Sequence, residues 1–289
     1  MSVHEINYNN SLPDVELSIL TPTRSKNNSS SNLKQQLDSI VEFSSPEELN
    51  KLECILKFDH DDEVPSFLNE YPFRIKWVQY ARGGGRWEVQ NFQTYLCRLR
   101  EATSRFILVL SDDFVIKRPF INEILSIDKE YTIVGGATRA HGERWPGGAE
   151  LFKDDNISIP LGGDWRNTGV YGHCIAHYAM ICSSKVADSM VDLGFIPCND
   201  LCYLAIAMCI YKEFGVNIWH DMTSFYYRDE FYTYPPKWPD HLEDEGITQY
   251  NVLDLIYFKN NNRYADNYWR LIYQAAKNIY LNMKYDNVI

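Results

Sequence analysis

The feature that most constrains the fold is a series of short apolar segments that each end in polar or acidic residues. Residues 17–20 lead into Thr21-Pro22-Thr23-Arg24, and residues 53–58 lead into the acidic cluster 59–63. Residues 105–110 form an almost wholly apolar run that ends in Ser111-Asp112-Asp113, which is typical of a central strand buried on both faces. The proline is expected to stop the first strand.

The spacing between these segments predicts alternating strands and helices. Leu33, Leu37, Ile40 and Val41 recur at helical spacing between the first two strands, and Ser30 or Ser31 is the expected cap. A strand, a helix and a second strand are the beginning of a parallel sheet. We therefore predict an α/β fold in which a mostly parallel sheet is flanked by helices.

The same pattern continues through the rest of the chain. We expect strands at residues 75–79, 131–135 and 216–220 and helices at residues 92–99, 185–193, 201–214, 250–258 and 264–283. Gly194 and Gly215 are expected to end two of these helices. Residues 82–86 predict a glycine-rich turn. Residues 136–169 predict an irregular segment, and loops of that length in a compact domain are usually functional or mobile. The aromatic-rich segment from Tyr226 onward predicts a helical layer packed on the core, or an oligomer or acceptor surface.

Net charge limits the possible partners. The chain has 289 residues, with 28 Lys and Arg against 39 Asp and Glu, which gives a formal charge of −11. This negative field argues against nucleic-acid binding, because a polyphosphate backbone would be repelled. A smaller phosphate-bearing ligand would need local neutralisation, most simply by a divalent cation held by carboxylates.

We find no pattern typical of a targeting signal and no CxxC spacing of cysteines in the sequence. The amino terminus lacks the apolar run of a signal peptide, and no run of about 18 apolar residues predicts a transmembrane segment. Seven cysteines without a CxxC pair predict reduced, buried thiols. We therefore expect a cytoplasmic protein.

Adjacent carboxylates at the end of a buried strand need a physical reason. Asp112 and Asp113 raise each other's pKa unless solvent or a cation neutralises them. A solvated acidic turn is one interpretation. Asp59 and Asp61 follow a neighbouring predicted strand, however, and carboxyl ends of parallel strands share one edge of a sheet. A site for a hard divalent cation is the second interpretation.

At this point the sequence resembles the GT-A fold of nucleotide-sugar glycosyltransferases, most closely the family 2-like group. The resemblance covers about residues 16–222 and rests on motifs that occur in the expected order. These motifs are Leu17-Ser18-Ile19-Leu20-Thr21-Pro22-Thr23-Arg24, Asp59, Arg82-Gly83-Gly84-Gly85-Arg86 with Asn91, Ser111-Asp112-Asp113, Gly194-Phe195-Ile196-Pro197-Cys198-Asn199-Asp200, and His220. Ser111 stands where the family's DxD-type motif has its first Asp.

The resemblance implies an inverting, metal-dependent transfer of a sugar from a nucleotide sugar, commonly a UDP-sugar, to a hydroxyl acceptor. It implies that Asp113 and His220 hold Mn²⁺ or Mg²⁺ and that Asp200 is the general base. The expected substrate-binding residues are Thr21, Pro22, Thr23, Arg24, Asp59, Arg82, Asp112, Trp145, Trp165 and Asn199.

Several of these residues keep a second interpretation. Asn199 and Asp200 precede a predicted helix and suit its N-cap, a role that is compatible with catalysis. Arg24 and Arg82 could contact a diphosphate or simply be solvated. Trp145 and Trp165 could stack on a sugar or pack within the protein.

The predicted organisation is a polar leader (residues 1–15), a GT-A domain (16–225) and a C-terminal helical extension (226–289). Two other functions are compatible with such a sheet. A nucleotidyltransferase that makes nucleotide sugars is the first, although it normally has a glycine-rich loop after the first strand and residues 21–32 contain no glycine. A non-catalytic sugar-binding or scaffold protein is the second.

Overall fold

The structure is a computed structural model. It describes residues 2–8, 12–23, 29–80, 97–110, 112, 114–136, 138–140, 143–145, 179–191, 206–207, 209–211, 213–222, 226–228 and 263–289.

The described elements include many that the sequence pattern predicts and several that it does not predict. The strands are β1 (Val3–Ile6), β2 (Leu17–Pro22), β3 (Leu52–Asp59), β4 (Arg74–Tyr80), β5 (Phe106–Leu110), β6 (Phe114–Ile116), β7 (Ile133–Gly136), β8 (Thr138–Ala140), β9 (Glu143–Trp145), β10 (Ala179–Ser183), β11 (Trp219–Met222) and β12 (Tyr226–Arg228). The helices are α1 (Ser29–Glu42), α2 (Pro46–Asn50), α3 (Ile121–Leu125), α4 (Ser184–Val191) and α5 (Arg263–Tyr285), with a 3-10 turn at Ser66–Glu70.

Two compact units contain these elements. The first holds β1 to β6, β10, β12 and α1 to α4, and its sheet has the strand order β1-β4-β3-β2-β5-β10. The pairs β4·β3, β3·β2 and β2·β5 are parallel, whereas β1 and β10 pair antiparallel with β4 and β5. The prediction of a mostly parallel sheet with flanking helices is confirmed.

The core of this unit lies around the strands that the sequence marked as apolar. Every residue of β3 and β5 is buried, and β2 is buried up to Thr21. Helix α1 covers the sheet with the predicted face, in which Leu33, Leu37 and Ile40 are fully buried. Because three adjacent strands are buried on both faces, every polar side chain within them needs a partner inside the protein.

Glu53 shows how the unit meets this requirement at the amino ends of the parallel strands. Its fully buried carboxylate (0% exposed) accepts hydrogen bonds from the Ser18 hydroxyl (2.5 Å) and the Tyr8 hydroxyl (2.6 Å). The Glu101 backbone N–H donates a further bond (2.8 Å), and the Lys76 ammonium lies 3.5 Å away. Burial and the Glu53 carboxylate raise the pKa of Tyr8 well above its usual value, so this hydroxyl keeps its proton and remains a donor.

The second unit holds β7, β8, β9, β11 and α5. Strands β7 and β11 are parallel, with His220 opposite Val134, and β8 and β9 form an antiparallel hairpin. The long helix α5 buries Ala275, Ala276 and Ile279. The Tyr131 hydroxyl donates to the Asp286 carboxylate (2.8 Å) and ties the end of the chain to this unit.

Several boundaries differ from the sequence predictions. The expected strand at residues 216–220 begins only at Trp219 and runs to Met222, and β12 follows it. Helix α1 begins at Ser29, so Ser30 and Ser31 lie inside the helix instead of capping it. The predicted leader contains β1, an edge strand whose VHEI sequence is too short and polar to give a clear strand signal. The irregular segment begins with β8 and β9.

Other predicted elements fall partly or wholly outside the described residues. Residues 97–99 are helical, as are 206–207, 209–211 and 213–214, in agreement with the predicted helices at 92–99 and 201–214. The glycine-rich turn at 82–86, Gly194 and the helix predicted at 250–258 lie outside the described part of the chain.

The described cysteines agree with the prediction of reduced thiols. Cys54, Cys97, Cys182 and Cys209 are free and buried. Burial raises the pKa of Cys97 and of Cys209 to about 12, so both thiols are protonated and unreactive at neutral pH. Among the described residues, no helix combines the length and the apolar character that crossing a membrane requires.

Gly215 ends its helix as predicted, and this gives a test of the fold. Its φ is +70°, and its N–H donates to the Tyr211 carbonyl (2.9 Å). We expect Gly215→Ala to lower the free energy of unfolding by about 1 kcal/mol, because an L side chain disfavours the left-handed region. Nothing lies within 4 Å of an added Cβ, so the loss would be conformational. Urea denaturation measures it.

The matched control is Gly215→Asn. Asparagine tolerates the left-handed region better than alanine, as Asn287 shows with its φ of 57°. We expect this variant to lose less stability than Gly215→Ala. Equal midpoints for wild type and Gly215→Ala would contradict the assigned helix end.

Candidate functional site

The carboxyl ends of β3, β2 and β5 lie side by side in the first unit. The three strands are parallel neighbours, with Pro22 opposite Lys57 and Leu20 opposite Val109. Thr23, Asp59 and Asp112 therefore follow or end adjacent strands at one edge of the sheet. We call this edge the carboxyl rim, and open α/β sheets bind their ligands there.

Thr23 joins all three strand ends. Its backbone N–H donates to the Lys57 carbonyl (2.8 Å), which extends the β2·β3 ladder by one residue. Its hydroxyl donates to Oδ2 of Asp112 (2.7 Å), just beyond β5. Asp112 is half-buried, whereas Thr23 is only 3% exposed. The acidic turn after β5 is thus anchored to the end of β2.

Asp59 is the second acid of the carboxyl rim, and it is buried. Its carboxylate forms an ion pair with the Lys57 ammonium, two residues earlier on the same face of β3. The Asp59 N–H donates to the Asp62 carboxylate (3.0 Å), and the Asp62 N–H donates back to the Asp59 carbonyl (3.1 Å). Gln79 on β4 donates to the Asp62 carbonyl (2.7 Å). These bonds fix the chain where β3 ends.

Two buried polar side chains of helix α1 form hydrogen bonds to residues near the carboxyl rim. The Gln36 side-chain oxygen accepts from the Thr21 hydroxyl (3.1 Å), and its NH₂ donates to the Phe114 carbonyl (3.2 Å). The Ser39 hydroxyl accepts from the Ile116 N–H (3.0 Å). Since Phe114 and Ile116 belong to β6, these bonds fix the strand that directly follows Asp112 and Asp113.

The structure places the predicted site residues in different surroundings. Thr23, Asp59 and Asp112 come together at the carboxyl rim, with Pro22 as the last residue of β2. Thr21 is buried, and its hydroxyl faces α1. His220 is half-buried in β11 of the second unit, and Trp145 is the last residue of β9. The predicted residues outside the described part of the chain are Arg24, Arg82, Asp113, Trp165, Asn199 and Asp200.

Sequence reasoning missed Lys57 and Gln36. Lys57 is a lone cation in an otherwise apolar run two residues before Asp59, and Gln36 is a polar residue on the apolar face of α1. A polar residue at a position whose neighbours are all buried signals a buried hydrogen bond or ion pair. The sequence therefore indicated that Lys57 and Gln36 have buried polar partners, but it did not indicate which residues those partners are.

The carboxyl rim supplies donors of the kind that a hard divalent cation prefers. Asp112 offers a carboxylate whose orientation Thr23 holds, and Mn²⁺ and Mg²⁺ take such oxygen ligands. The predicted metal ligands, however, are Asp113 and His220, and Asp112 is predicted to contact the donor. Over the residues that the structure describes, no three His, Cys, Asp or Glu side chains form a group able to hold a metal ion; Asp113 is outside that part of the chain.

Comparison with known proteins identifies the fold. No protein-family model and no curated protein match the chain. Among solved structures, S. aureus TarS (residues 1–349) in complex with UDP-GlcNAc is 14% identical, with a TM-score of 0.54 over 88% of this chain and 70% of that one. The same part of TarS in complex with UDP is 13% identical over 88% of this chain and 70% of that one, with a TM-score of 0.53. TarS is a GT-A fold glycosyltransferase.

The chain has a GT-A-like fold. The resemblance that the sequence motifs suggested is confirmed at this level. A longer TarS structure is 14% identical with a TM-score of 0.50, and the match spans 88% of this chain but only 42% of the TarS chain. At identities this low, the structural similarity establishes only the architecture. The chemistry of the GT-A-like chain has to be argued from its own residues.

The ion pair in β3 gives the second prediction. We expect Lys57→Met to lower the free energy of unfolding by about 3–5 kcal/mol, because removing one member of a buried ion pair takes away the compensation that it gives to the remaining charge. Adding Asp59→Asn should restore most of this loss, since the double variant has no buried charge at this position. Urea denaturation of the four proteins of the cycle measures both effects. Equal losses in the single and the double variant would show that the pair does not stabilise the end of β3.

Proposed function

We propose that this protein is an inverting, metal-dependent glycosyltransferase that moves a sugar from a nucleotide sugar, a UDP-sugar, to a hydroxyl acceptor. The observation that supports it is the Thr23–Asp112 hydrogen bond, which holds an acid at the carboxyl rim of a GT-A-like sheet. The TarS structures with UDP-GlcNAc and UDP support the class of donor.

The donor would lie along the carboxyl rim. Asp59 is assigned to the base side of the donor, where it fixes the end of β3, and Thr21, Pro22 and Thr23 lie beneath the nucleoside. Asp112 contacts the ribose or water bound to the metal. Arg24 and Arg82 offset the diphosphate charge, and Trp145, Trp165 and Asn199 contact the sugars.

Asp113 and His220 are the proposed ligands of Mn²⁺ or Mg²⁺. A divalent cation on the diphosphate stabilises the negative charge of the departing nucleoside diphosphate.

Asp200 is the proposed general base. Its carboxylate takes the proton of the acceptor hydroxyl while the acceptor oxygen forms a bond to the anomeric carbon of the sugar. The bond between that carbon and the diphosphate oxygen breaks, and the nucleoside diphosphate leaves with the electron pair. Attack from the face opposite the leaving group inverts the configuration.

Nucleotide binding is the first test of this function. We expect UDP with Mn²⁺ to stabilise the protein by about 2.7 kcal/mol when UDP is present at 100 times its Kd. CDP, GDP and ADP should stabilise it less, and EDTA should reduce the effect of UDP. Thermal unfolding measures the shift.

Two carboxylate variants serve as a matched pair for this test. Asp112→Asn changes the carboxyl rim and should reduce the shift. Asp38→Asn removes an exposed carboxylate on α1 that pairs with Lys34 and should leave the shift unchanged. A panel in which no nucleoside diphosphate stabilises wild type in the presence of metal would refute the proposal.

Asp200→Asn tests the general base. Asparagine caps helices about as well as aspartate does, so this variant removes the base and keeps a cap. We expect the release of UDP from UDP-GlcNAc by hydrolysis, in which water replaces the acceptor, to fall by about 10²–10⁴-fold. The Kd for UDP should stay within about twofold. A hydrolysis rate equal to that of wild type would leave Asp200 with a capping role alone.

A further inference from the structure

We infer that Thr23 is a positioning residue that acts on the nucleotide through Asp112 and does not contact the nucleotide itself. The inference rests on the proposed function and assigns a different role to a residue that the family resemblance places among the donor contacts. Its basis is the 2.7 Å hydrogen bond from the Thr23 hydroxyl to Oδ2 of Asp112.

Burial separates the roles of the two residues. Thr23 is 3% exposed, so it has almost no surface to offer a ligand, whereas Asp112 is half-buried and does have exposed surface. The hydroxyl donates to the carboxylate, and such bonds to an ionised acceptor are stronger than neutral ones. Thr23 can therefore influence a ligand most directly by orienting the carboxylate that meets it.

The backbone of Thr23 is fixed before any ligand arrives. Its N–H is bonded to the Lys57 carbonyl (2.8 Å), which pairs it with the end of β3. A β-branched side chain has few χ1 rotamers. The donor atom consequently occupies a position that β2 and β3 define together.

The acceptor side is fixed as well. Strand β6 begins two residues after Asp112, and its Phe114 carbonyl and Ile116 N–H are bonded to Gln36 and Ser39 of α1. The Asp112 carboxylate thus accepts a hydrogen bond from the anchored Thr23, and the strand that follows it, β6, is anchored to α1. A ligand that meets an oriented carboxylate loses less conformational entropy than one that must order it, so the orientation contributes to affinity.

Substitutions of Thr23 separate this role from a purely structural one. We expect Thr23→Val, which removes the hydroxyl and keeps the shape, to raise the Kd for UDP in the presence of Mn²⁺ about tenfold, as measured by titration calorimetry. Thr23→Ser keeps the donor and should remain within about twofold of wild type. Thr23→Ala should weaken binding as Thr23→Val does, and it replaces that variant if valine prevents folding.

Ser18→Ala is the matched control. Ser18 lies in the same strand, is buried, and donates its hydroxyl to a carboxylate, that of Glu53, at the opposite end of the strand. Its loss should lower the melting temperature and leave the Kd for UDP within about twofold. A melting temperature lowered by Thr23→Val without a change in Kd would overturn the inference, because both hydroxyls would then be merely structural.

A double-variant cycle decides whether Thr23 acts through Asp112. In an Asp112→Ala background we expect Thr23→Val to change the Kd by less than twofold, since the carboxylate that it orients is gone. A full tenfold change in that background would mean a direct contact with the ligand and would overturn the inference.

UDP binding by wild type separates this inference from the proposed function. If wild type bound no UDP, both the proposed function and the inference would fail. Wild type that binds UDP, with a Thr23→Val variant that binds equally well, would refute the role of Thr23 alone.

Discussion

The structure of the first unit depends on how buried carboxylates are compensated. Its sheet has three adjacent strands, β3, β2 and β5, that are buried on both faces, and an unpaired ionised group there would cost several kcal/mol. Glu53 and Asp59 nonetheless lie in β3, one at each end, and both are buried. Their partners, Lys76 and Lys57, are themselves buried in the strands. Each lysine therefore offsets the charge of a buried carboxylate in β3.

The two ends of the strands solve this problem in different ways. At the amino ends, Glu53 is fully enclosed by donors from Tyr8, Ser18 and the backbone of Glu101, which leaves it no surface for a ligand. At the carboxyl rim, Asp112 is held by Thr23 and stays half-buried. An oriented acid with remaining exposure is the arrangement expected of a binding residue, because orientation before binding lowers the cost of ordering it.

The sequence pattern predicted several of the elements that burial determines, although it missed β10, which pairs with β5. Strands β2 to β5, helix α1 and the helix end at Gly215 follow from apolar runs, helical spacing and the need for a left-handed residue. Strand β1 escaped prediction because an edge strand is stabilised by pairing with β4 instead of by burial. The sequence showed Gln36 and Lys57 as polar residues among apolar ones. Their partners, however, depend on how the strands and helices are arranged in the fold. Gln36 bonds to Phe114, 78 residues away, and no local pattern encodes that pairing.

Electrostatic balance connects the ion pair in β3 with the proposed need for a cation. A nucleoside diphosphate would bring further negative charge to a chain with a formal charge of −11. Lys57 lies at the end of β3, but its ammonium pairs with the Asp59 carboxylate, so recruiting it to the diphosphate would break a buried ion pair. In the proposed function, Arg24, Arg82 and a divalent cation would offset the charge of the diphosphate. Under the proposed function, a divalent cation would supply the charge stabilisation that a departing diphosphate needs.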